Sequence, residues 1–171
     1  MTWTPTLAII TPRAVPVNLL TYVTDSTRQT DALTWAGDSS LKLIKTFSNS
    51  VANRAIPVFP SIAFSDDNDI EEFGEDTVTA AYAFTFEVSI QNADPDTAVT
   101  NARVYDKALR SMIVNCPSAT LGTNTGCVSG TAAVQTIETG FEPIKTNEKQ
   151  NDFLQQFQIR VTVTMVAPAN I

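Results

Sequence analysis

The sequence predicts an α+β fold of two layers, in which a mostly antiparallel sheet carries helices packed on one face. Two long segments alternate apolar with polar residues, and an amphipathic helix with complete start signals lies between them. The N-terminal part instead has apolar clusters without a sustained period. The chain has 171 residues, 43% of them hydrophobic, which is enough for one substantial core. We therefore expect a single domain over 1–171, helical over 1–50, with the sheet and main helix over 51–171.

The N-terminal part predicts one or two short helices. Apolar clusters lie at Val17–Val23 and Ala32–Ala36, and Gly37 supplies a natural helix stop. The following segment, Leu41–Phe47, fits a helix about as well as it fits a strand, and its secondary structure stays open at this stage.

The segment Ala55–Phe64 has the features of a strand at a sheet edge. Pro57 and Pro60 each remove a backbone donor, so at least part of the strand must lie where no neighbouring strand needs that donor. An exposed edge can accept a strand from a partner. This edge is therefore a candidate contact surface.

The strongest strand signals are Asp76–Ile90 and the C-terminal run Phe153–Met165. In both, apolar residues alternate with polar or small ones, as expected for a strand with one buried face. The predicted buried residues are Val78, Ala80, Tyr82, Phe84, Phe86, Val88 and Ile90 in the first segment, and Phe153, Phe157, Ile159, Val161, Val163 and Met165 in the second. A weaker alternation predicts a further strand over Ala132–Thr139.

A helix is predicted after Asp94, its N-cap, with Pro95 at the first helical position and Asp96 near the positive end of the helix dipole. The apolar stripe of this helix comprises Ala98, Ala102, Tyr105, Leu109 and Met112. The residues expected to face water are Arg103, Asp106, Lys107 and Arg110. This spacing predicts an amphipathic helix with one face on the sheet.

Charge and hydropathy disfavour two classes of partner. The net charge is −7 and the pI is near 4.4, which is the wrong sign for binding a phosphate backbone over most of the surface. No apolar run approaches the ~20 residues of a membrane span, and Met1–Pro12 has no basic stretch ahead of an apolar core. We expect no sequence-specific nucleic-acid binding, no membrane span and no signal peptide.

Catalytic motifs are missing from the sequence. The chain contains no histidine, the commonest general base and the usual partner of a serine or cysteine nucleophile. It lacks the GxSxG elbow, the GxxxxGK(S/T) phosphate loop and the dinucleotide fingerprint, and it has only six glycines to build one. We therefore expect a protein that is not an enzyme and that needs no cofactor.

Two cysteines, Cys116 and Cys127, flank a loop rich in Thr, Gly and Asn. They could form a disulfide in an oxidising medium, whereas the cytoplasm favours free thiols. Without histidine, two thiols are too few for a structural zinc site.

An acidic segment follows the predicted edge strand, with seven carboxylate residues: Asp66, Asp67, Asp69, Glu71, Glu72, Glu75 and Asp76. This density could hold a calcium ion, although Glu71 stands where an EF-hand loop needs its glycine. A solvated loop joining two strands is the favoured interpretation. A calcium-dependent binding module stays open as an alternative function.

A small basic patch is a further candidate site, formed by Arg54, Arg103, Lys107 and Arg110. Ordinary solvation of a helix face explains three of these residues without a ligand. Trp3 and Trp35 could anchor an interface. For Trp35, a place in the core is at least as good an interpretation.

Three segments carry a family resemblance. They are Ile56-Pro57-Val58-Phe59-Pro60-Ser61-Ile62, Tyr82-Ala83-Phe84-Thr85-Phe86-Glu87-Val88 and Val104-Tyr105-Asp106-Lys107-Ala108-Leu109. With the helical N-terminal part and the acidic connection, the chain from Val17 to Val166 resembles the tail terminator, or tail completion, proteins of tailed bacteriophages. The long stretch Cys116–Gln150 departs from that pattern.

The resemblance implies a structural virion protein, assembled in the host cytoplasm and placed at the tail–neck junction. It implies a ring, usually hexameric, that caps the tail tube and docks to the neck, so its partners are copies of itself, tail-tube proteins and neck or connector proteins. A head-to-tail connector or another neck subunit is the alternative within this class. The residues expected at interfaces are Ile56, Val58, Phe59, Asp66, Asp67, Asp69, Glu71 and Glu72. In a ring that DNA traverses, the acidic residues could also line the lumen, where like charge repels the duplex.

Overall fold

The computed structural model describes residues 13–46, 59–73, 77–123, 125–128, 130–147 and 152–168. Its helices are α1 (Ala14–Val23), α2 (Ser26–Ala36), α3 (Pro95–Val114) and α4 (Ser118–Leu121). Its strands are β1 (Lys45–Thr46), β2 (Ser61–Phe73), β3 (Thr77–Asn92), β4 (Ala133–Phe141), β5 (Lys145–Asn147) and β6 (Asp152–Pro168). The predicted α+β fold, with a mostly antiparallel sheet and helices packed on one face, is confirmed.

The sheet is built around the two long strands that the sequence predicted. Its order is β1-β2-β3-β6-β4, and β5 also pairs with β6. The central pair, β3 and β6, is antiparallel and continuous from Thr77 opposite Pro168 to Asn92 opposite Phe153. The pair of β1 with β2 is parallel, and the other described pairs are antiparallel.

The core lies between this sheet and α3. On β3, every second residue from Val78 to Ile90 is at most 5% exposed, and on β6 the same holds from Phe157 to Met165. The period-two prediction of the buried face is confirmed for both strands, although Phe153 at the start of β6 is only half-buried. The intervening residues form the other face of the sheet and are mostly polar, small or partly exposed.

The main helix α3 begins where the sequence predicts. The Asp94 carboxylate accepts a hydrogen bond from the Thr97 backbone N–H at 2.7 Å, and Pro95 is the first helical residue. All five residues of the predicted apolar stripe are buried. The Tyr105 hydroxyl donates to the Lys42 carbonyl at 2.6 Å, and burial, with a smaller contribution from the charge of Asp38, raises the pKa of this phenol.

Two short helices form the N-terminal layer, as predicted. Asp25 caps α2 by accepting from the Arg28 backbone N–H at 3.0 Å, and Gly37 ends it with φ 118°, a left-handed conformation that suits glycine. The ambiguous segment after α2 is neither a helix nor a long strand. It is irregular up to Ile44 and joins the sheet only as β1, while Phe47 lies outside the described residues.

Buried Gln29 holds this irregular segment against α2. Its Nε2 donates to the Ile44 carbonyl at 3.1 Å, and its Oε1 accepts from the Ile44 N–H at 2.7 Å. Both polar groups of Ile44 are thus satisfied inside the protein, where water does not reach them.

The strand that follows corrects two predictions. Ala55–Val58 lie outside the described residues, Phe59 and Pro60 form a bend, and β2 begins only at Ser61. It then continues to Phe73, so most of the acidic segment is strand and the loop prediction is wrong. The ladder to β3 satisfies one border of β2, and charged residues are tolerated because the strand lies near the edge of the sheet.

The weak strand predicted over Ala132–Thr139 is present as β4, with a register shift between Val134 and Thr136. In the part of the chain that the structure describes, no helix is long and apolar enough to cross a membrane.

Candidate assembly interface

The predicted contact residues lie on and just ahead of β2. The outer border of this strand, on the side away from β3, is mostly unpaired among the described strands. Among the described strands, only β1 lies on this border, and it pairs with Ser61 and Ile62 alone. From Ala63 to Phe73 the border has no partner in the described part of the chain. A border without a partner among the described residues presents backbone groups that can pair with a further strand.

Five of the eight predicted interface residues lie along this border. Asp66, Asp69 and Glu71 are the register partners of Phe84, Tyr82 and Ala80 of β3. The two other acidic residues are Asp67, at a register shift between Asp66 and Asn68, and Glu72, opposite Thr79. The structure therefore places the predicted acidic residues on one strand. Glu75 and Asp76 lie outside the described residues.

The three remaining predicted residues precede β2. Ile56 and Val58 lie outside the described residues, whereas Phe59 is half-buried in the bend before the strand. Phe59 lines an open cleft whose other walls are Lys42, Gln91, Asn92, Ala93 and Asp152. Phe59 thus comes just before the acidic strand in the chain, and β2 lies next to β1 at one edge of the sheet.

A second surface lies on α3, on the side that faces away from the sheet. Arg103, Lys107 and Arg110 are exposed on successive turns, and we call these three residues the basic stripe. Arg54, the fourth member of the predicted patch, lies outside the described residues. In the described ranges, the ion pairs join Arg28 to Asp25 and Lys145 to Glu142, so no described carboxylate forms an ion pair with the stripe, and Asp106 of the same helix accepts a hydrogen bond from Thr139 instead.

Trp35 lies beside the basic stripe, so of its two interpretations the place in the core is wrong, and the interface anchor stays a prediction. Its side chain is 61% exposed, and the Lys107 Nζ atom lies 4.6 Å from the centroid of its ring. The same ammonium group donates to the Ala36 carbonyl at 3.4 Å. A cation over an indole face is attractive, and this contact orders the two side chains side by side.

A third surface, which sequence reasoning missed, lies where β4 leads into β5. Phe141 is 47% exposed although its ring centroid is 5.3 Å from that of buried Phe157, and Ile144 is also exposed. The backbone between them is fixed, because Gln155 Nε2 donates to the Glu142 carbonyl at 2.7 Å. The available signal was an apolar pair flanking a proline within a polar stretch of sequence.

Metal-ligating groups and thiols are a further kind of candidate site in the described part of the chain. There, no group of three or more His, Cys, Asp or Glu residues is placed to hold a metal ion. Both cysteines are free thiols, and burial raises the pKa of Cys116 to about 11, with Arg28 opposing part of the shift. The backbone from Asp66 to Phe73 is extended and paired, unlike the turning backbone of an EF-hand loop.

The chain was compared with known families, curated proteins and solved structures. No family model matches it, and no curated protein matches it. Among solved structures, it is similar to a chain in the virion of a native gene transfer agent particle, at 14% sequence identity and a TM-score of 0.40. The similarity covers 91% of this chain and 95% of that chain.

Proposed function

We propose that this protein is a structural virion protein of a phage-like particle, where it forms a ring that caps the tail tube and docks to the neck. The single observation that carries the proposal is that the border of β2 from Ala63 to Phe73 has no partner strand among the described residues. It adds to the resemblance of the sequence to tail terminator proteins.

A strand border of this length presents a row of backbone N–H and C=O groups that a partner chain can bind. In proteins that stay monomeric, such borders are usually short, covered by another part of the chain, or protected by charged residues and bulges. Here the border carries charged residues, which protect it from non-specific pairing while leaving it free for a specific neighbour. A ring satisfies one such border on every subunit by repeating a single contact.

Several exposed surfaces support more than one kind of contact. A terminator subunit must meet its neighbours in the ring, the tube below and the neck above. The basic stripe with Trp35 and the apolar pair Phe141 and Ile144 are separate from the border of β2, and Trp, Phe and Arg are residue types enriched at interfaces. The role requires no catalysis, so the proposal includes that the protein is not an enzyme.

The first test is the state of the purified protein. Size-exclusion chromatography with light scattering should give a closed oligomer, and negative-stain images should show rings with a hole wide enough for duplex DNA. Incubation with tail tubes should place these rings at tube ends. A strict monomer at high concentration that does not bind tubes contradicts the proposal. Rings that bind connector complexes but not tubes would indicate a neck subunit instead.

A further inference from the structure

We propose that the basic stripe of one copy, together with Trp35, receives the acidic strand β2 of the next copy. This inference rests on the proposed self-assembly and names the two surfaces that meet in it. The occupant of the stripe is thus a second copy of this chain.

The basic stripe is unusual in so acidic a protein. The chain has 11 Lys and Arg against 18 Asp and Glu, yet three of its cations share one helix face without a described carboxylate in ion-pair range. Exposed Trp35 extends that face. Arg and Trp are over-represented among the residues that dominate binding energy, because they combine large contact area with directional bonding. The face has the composition of an interface.

The acidic strand lacks cations of its own. The sequence has no Lys or Arg between Arg54 and Arg103, so neither β2 nor β3 carries a positive residue, and the other partner strand β1 carries one, Lys45 opposite Ser61. Five carboxylate residues therefore lie between Asp66 and Glu72 with no cation on β2 or β3. Asp66, Asp69 and Glu71 lie opposite Phe84, Tyr82 and Ala80 of β3, which share one face, so these three like charges repel one another and favour a positive surface nearby.

A helix face fits this border better than a strand does. The register shift at Asp67 interrupts the regular ladder of β2, and a bulge twists a strand away from a flat partner. Charged residues on an edge strand also oppose the addition of another strand. Both features leave electrostatic attraction to a side-chain surface as the favoured contact.

The two surfaces lie at different places on one subunit. Helix α3 packs on β3, β6 and β4, whereas β2 lies on the opposite side of β3 from β6. A contact between two unlike surfaces of identical subunits is heterologous, and it produces a ring when the rotation closes. The charge pattern of the chain is thus consistent with the proposed ring.

Charge exchange provides the test. The stripe variant carries Arg103→Glu, Lys107→Glu and Arg110→Glu, and the strand variant carries Asp66→Lys, Asp69→Lys and Glu71→Lys, whose register partners Phe84, Tyr82 and Ala80 share one face of the sheet. Each variant alone brings like charges together and should weaken self-association at least about 100-fold, since reversed interfacial charges cost several kcal/mol. In an equimolar mixture, each contact between the two variants again joins a basic surface to an acidic one. The mixture should therefore form rings in which the variants alternate.

Controls separate this inference from the proposed function and from misfolding. Circular dichroism should show that both variants keep the folded signal, and a control variant with Arg13→Glu, an exposed residue outside the surfaces described above, should assemble like the unaltered protein. A stripe variant that forms rings normally overturns the inference and leaves the proposed function standing. Single variants that dissociate without rescue in the mixture also overturn it. A stripe variant that still assembles but no longer binds duplex DNA, where the unaltered protein does, also overturns the inference. The stripe would then bind nucleic acid and not the next copy. An unaltered protein that stays monomeric removes the proposed function itself.

Discussion

One buried amide, that of Gln29, supports the segment that joins the helical layer to the sheet. Its side chain is 2% exposed and bonds to both backbone groups of Ile44. The substitution Gln29→Leu should lower the free energy of unfolding by about 2–4 kcal/mol, because it leaves a buried donor and a buried acceptor without partners. Urea denaturation should show a lower midpoint with an unchanged slope.

The matched control for Gln29 is Gln135, an exposed glutamine on β4. Gln135→Leu should change stability by no more than about 0.5 kcal/mol, as is usual for surface substitutions. An equal loss in both variants would contradict the role given to the amide of Gln29.

The two free thiols should differ in reactivity. Burial raises the pKa of Cys116 to about 11, so this thiol stays protonated at pH 8 and reacts slowly, while Cys127 is only half-buried. A thiol reagent should therefore modify Cys127 in the folded protein and Cys116 only on unfolding. Cys127→Ser should remove the fast phase and Cys116→Ser should keep it; the reverse assignment would contradict the burial.

The same shift sets a pH dependence. The folded-state pKa of Cys116 is raised, so its contribution to stability is complete below the ordinary thiol pKa of about 8.5 and is lost as pH rises toward 11. Alkaline unfolding followed in the protein and in Cys116→Ser should differ in that window.

At the residue scale, sequence reasoning succeeded where a local rule applied. Gly37 and Asp94 act within one turn of their own helices, and both were identified correctly. Trp35 and Gln29 depend on residues elsewhere in the fold, namely Lys107 and Ile44. Their environments follow from tertiary packing, which no local spacing encodes.

At the scale of elements, the start of α3 depends on Asp94. Hydrogen bonds from the Thr97 side chain and backbone N–H lower the pKa of Asp94, so its charged form is favoured in the folded protein. This contribution is present above the unfolded-state pKa of about 4 and is lost as pH falls through the lowered value. Asp94→Ala should lower Tm by about 2–5 °C at pH 7, as expected for the loss of a helix cap.

The neutral replacement Asp94→Asn separates capping from titration. Asparagine caps helices about as well as aspartate but does not ionise. This variant should keep most of the Tm at pH 7 and should lose less stability than the unaltered protein between about pH 5 and pH 2. Identical acid profiles for the two proteins would contradict the assignment.

The elements themselves were predictable to different degrees. β3 and β6 each bury one face for most of their length. Apolar and polar residues therefore alternate along both strands, and this alternation is visible in the sequence. β2 was only partly recognised, because its second half is acidic and polar, as a strand near a sheet edge can be. The two-residue strand β1 is defined by its parallel pairing with β2, and it is too short to show an alternating pattern in the sequence.

At the scale of the whole molecule, an assembly held by complementary charges should respond to salt. Opposite charges at a partly exposed interface are screened over about 10 Å at 0.1 M salt and about 3 Å at 1 M. Raising sodium chloride from about 50 mM to about 500 mM should therefore shift the population from rings toward single subunits, measured by light scattering. The mixture of stripe and strand variants should show the same response, and rings that tighten with salt would indicate an apolar contact instead.

The small parallel pairing of β1 with β2 has a consequence for how such rings would close. Lys45 N donates to the Pro60 carbonyl at 3.1 Å just ahead of this pair, and the adjacent Ile44 is bonded to Gln29 of α2, the helix that carries Trp35. Because these contacts link β2 to α2, we expect a neighbour bound to β2 to restrain α2 as well, and so to order part of the surface that the opposite neighbour binds. We expect successive subunits to join with rising affinity, so that closed rings outnumber open chains wherever association can be detected.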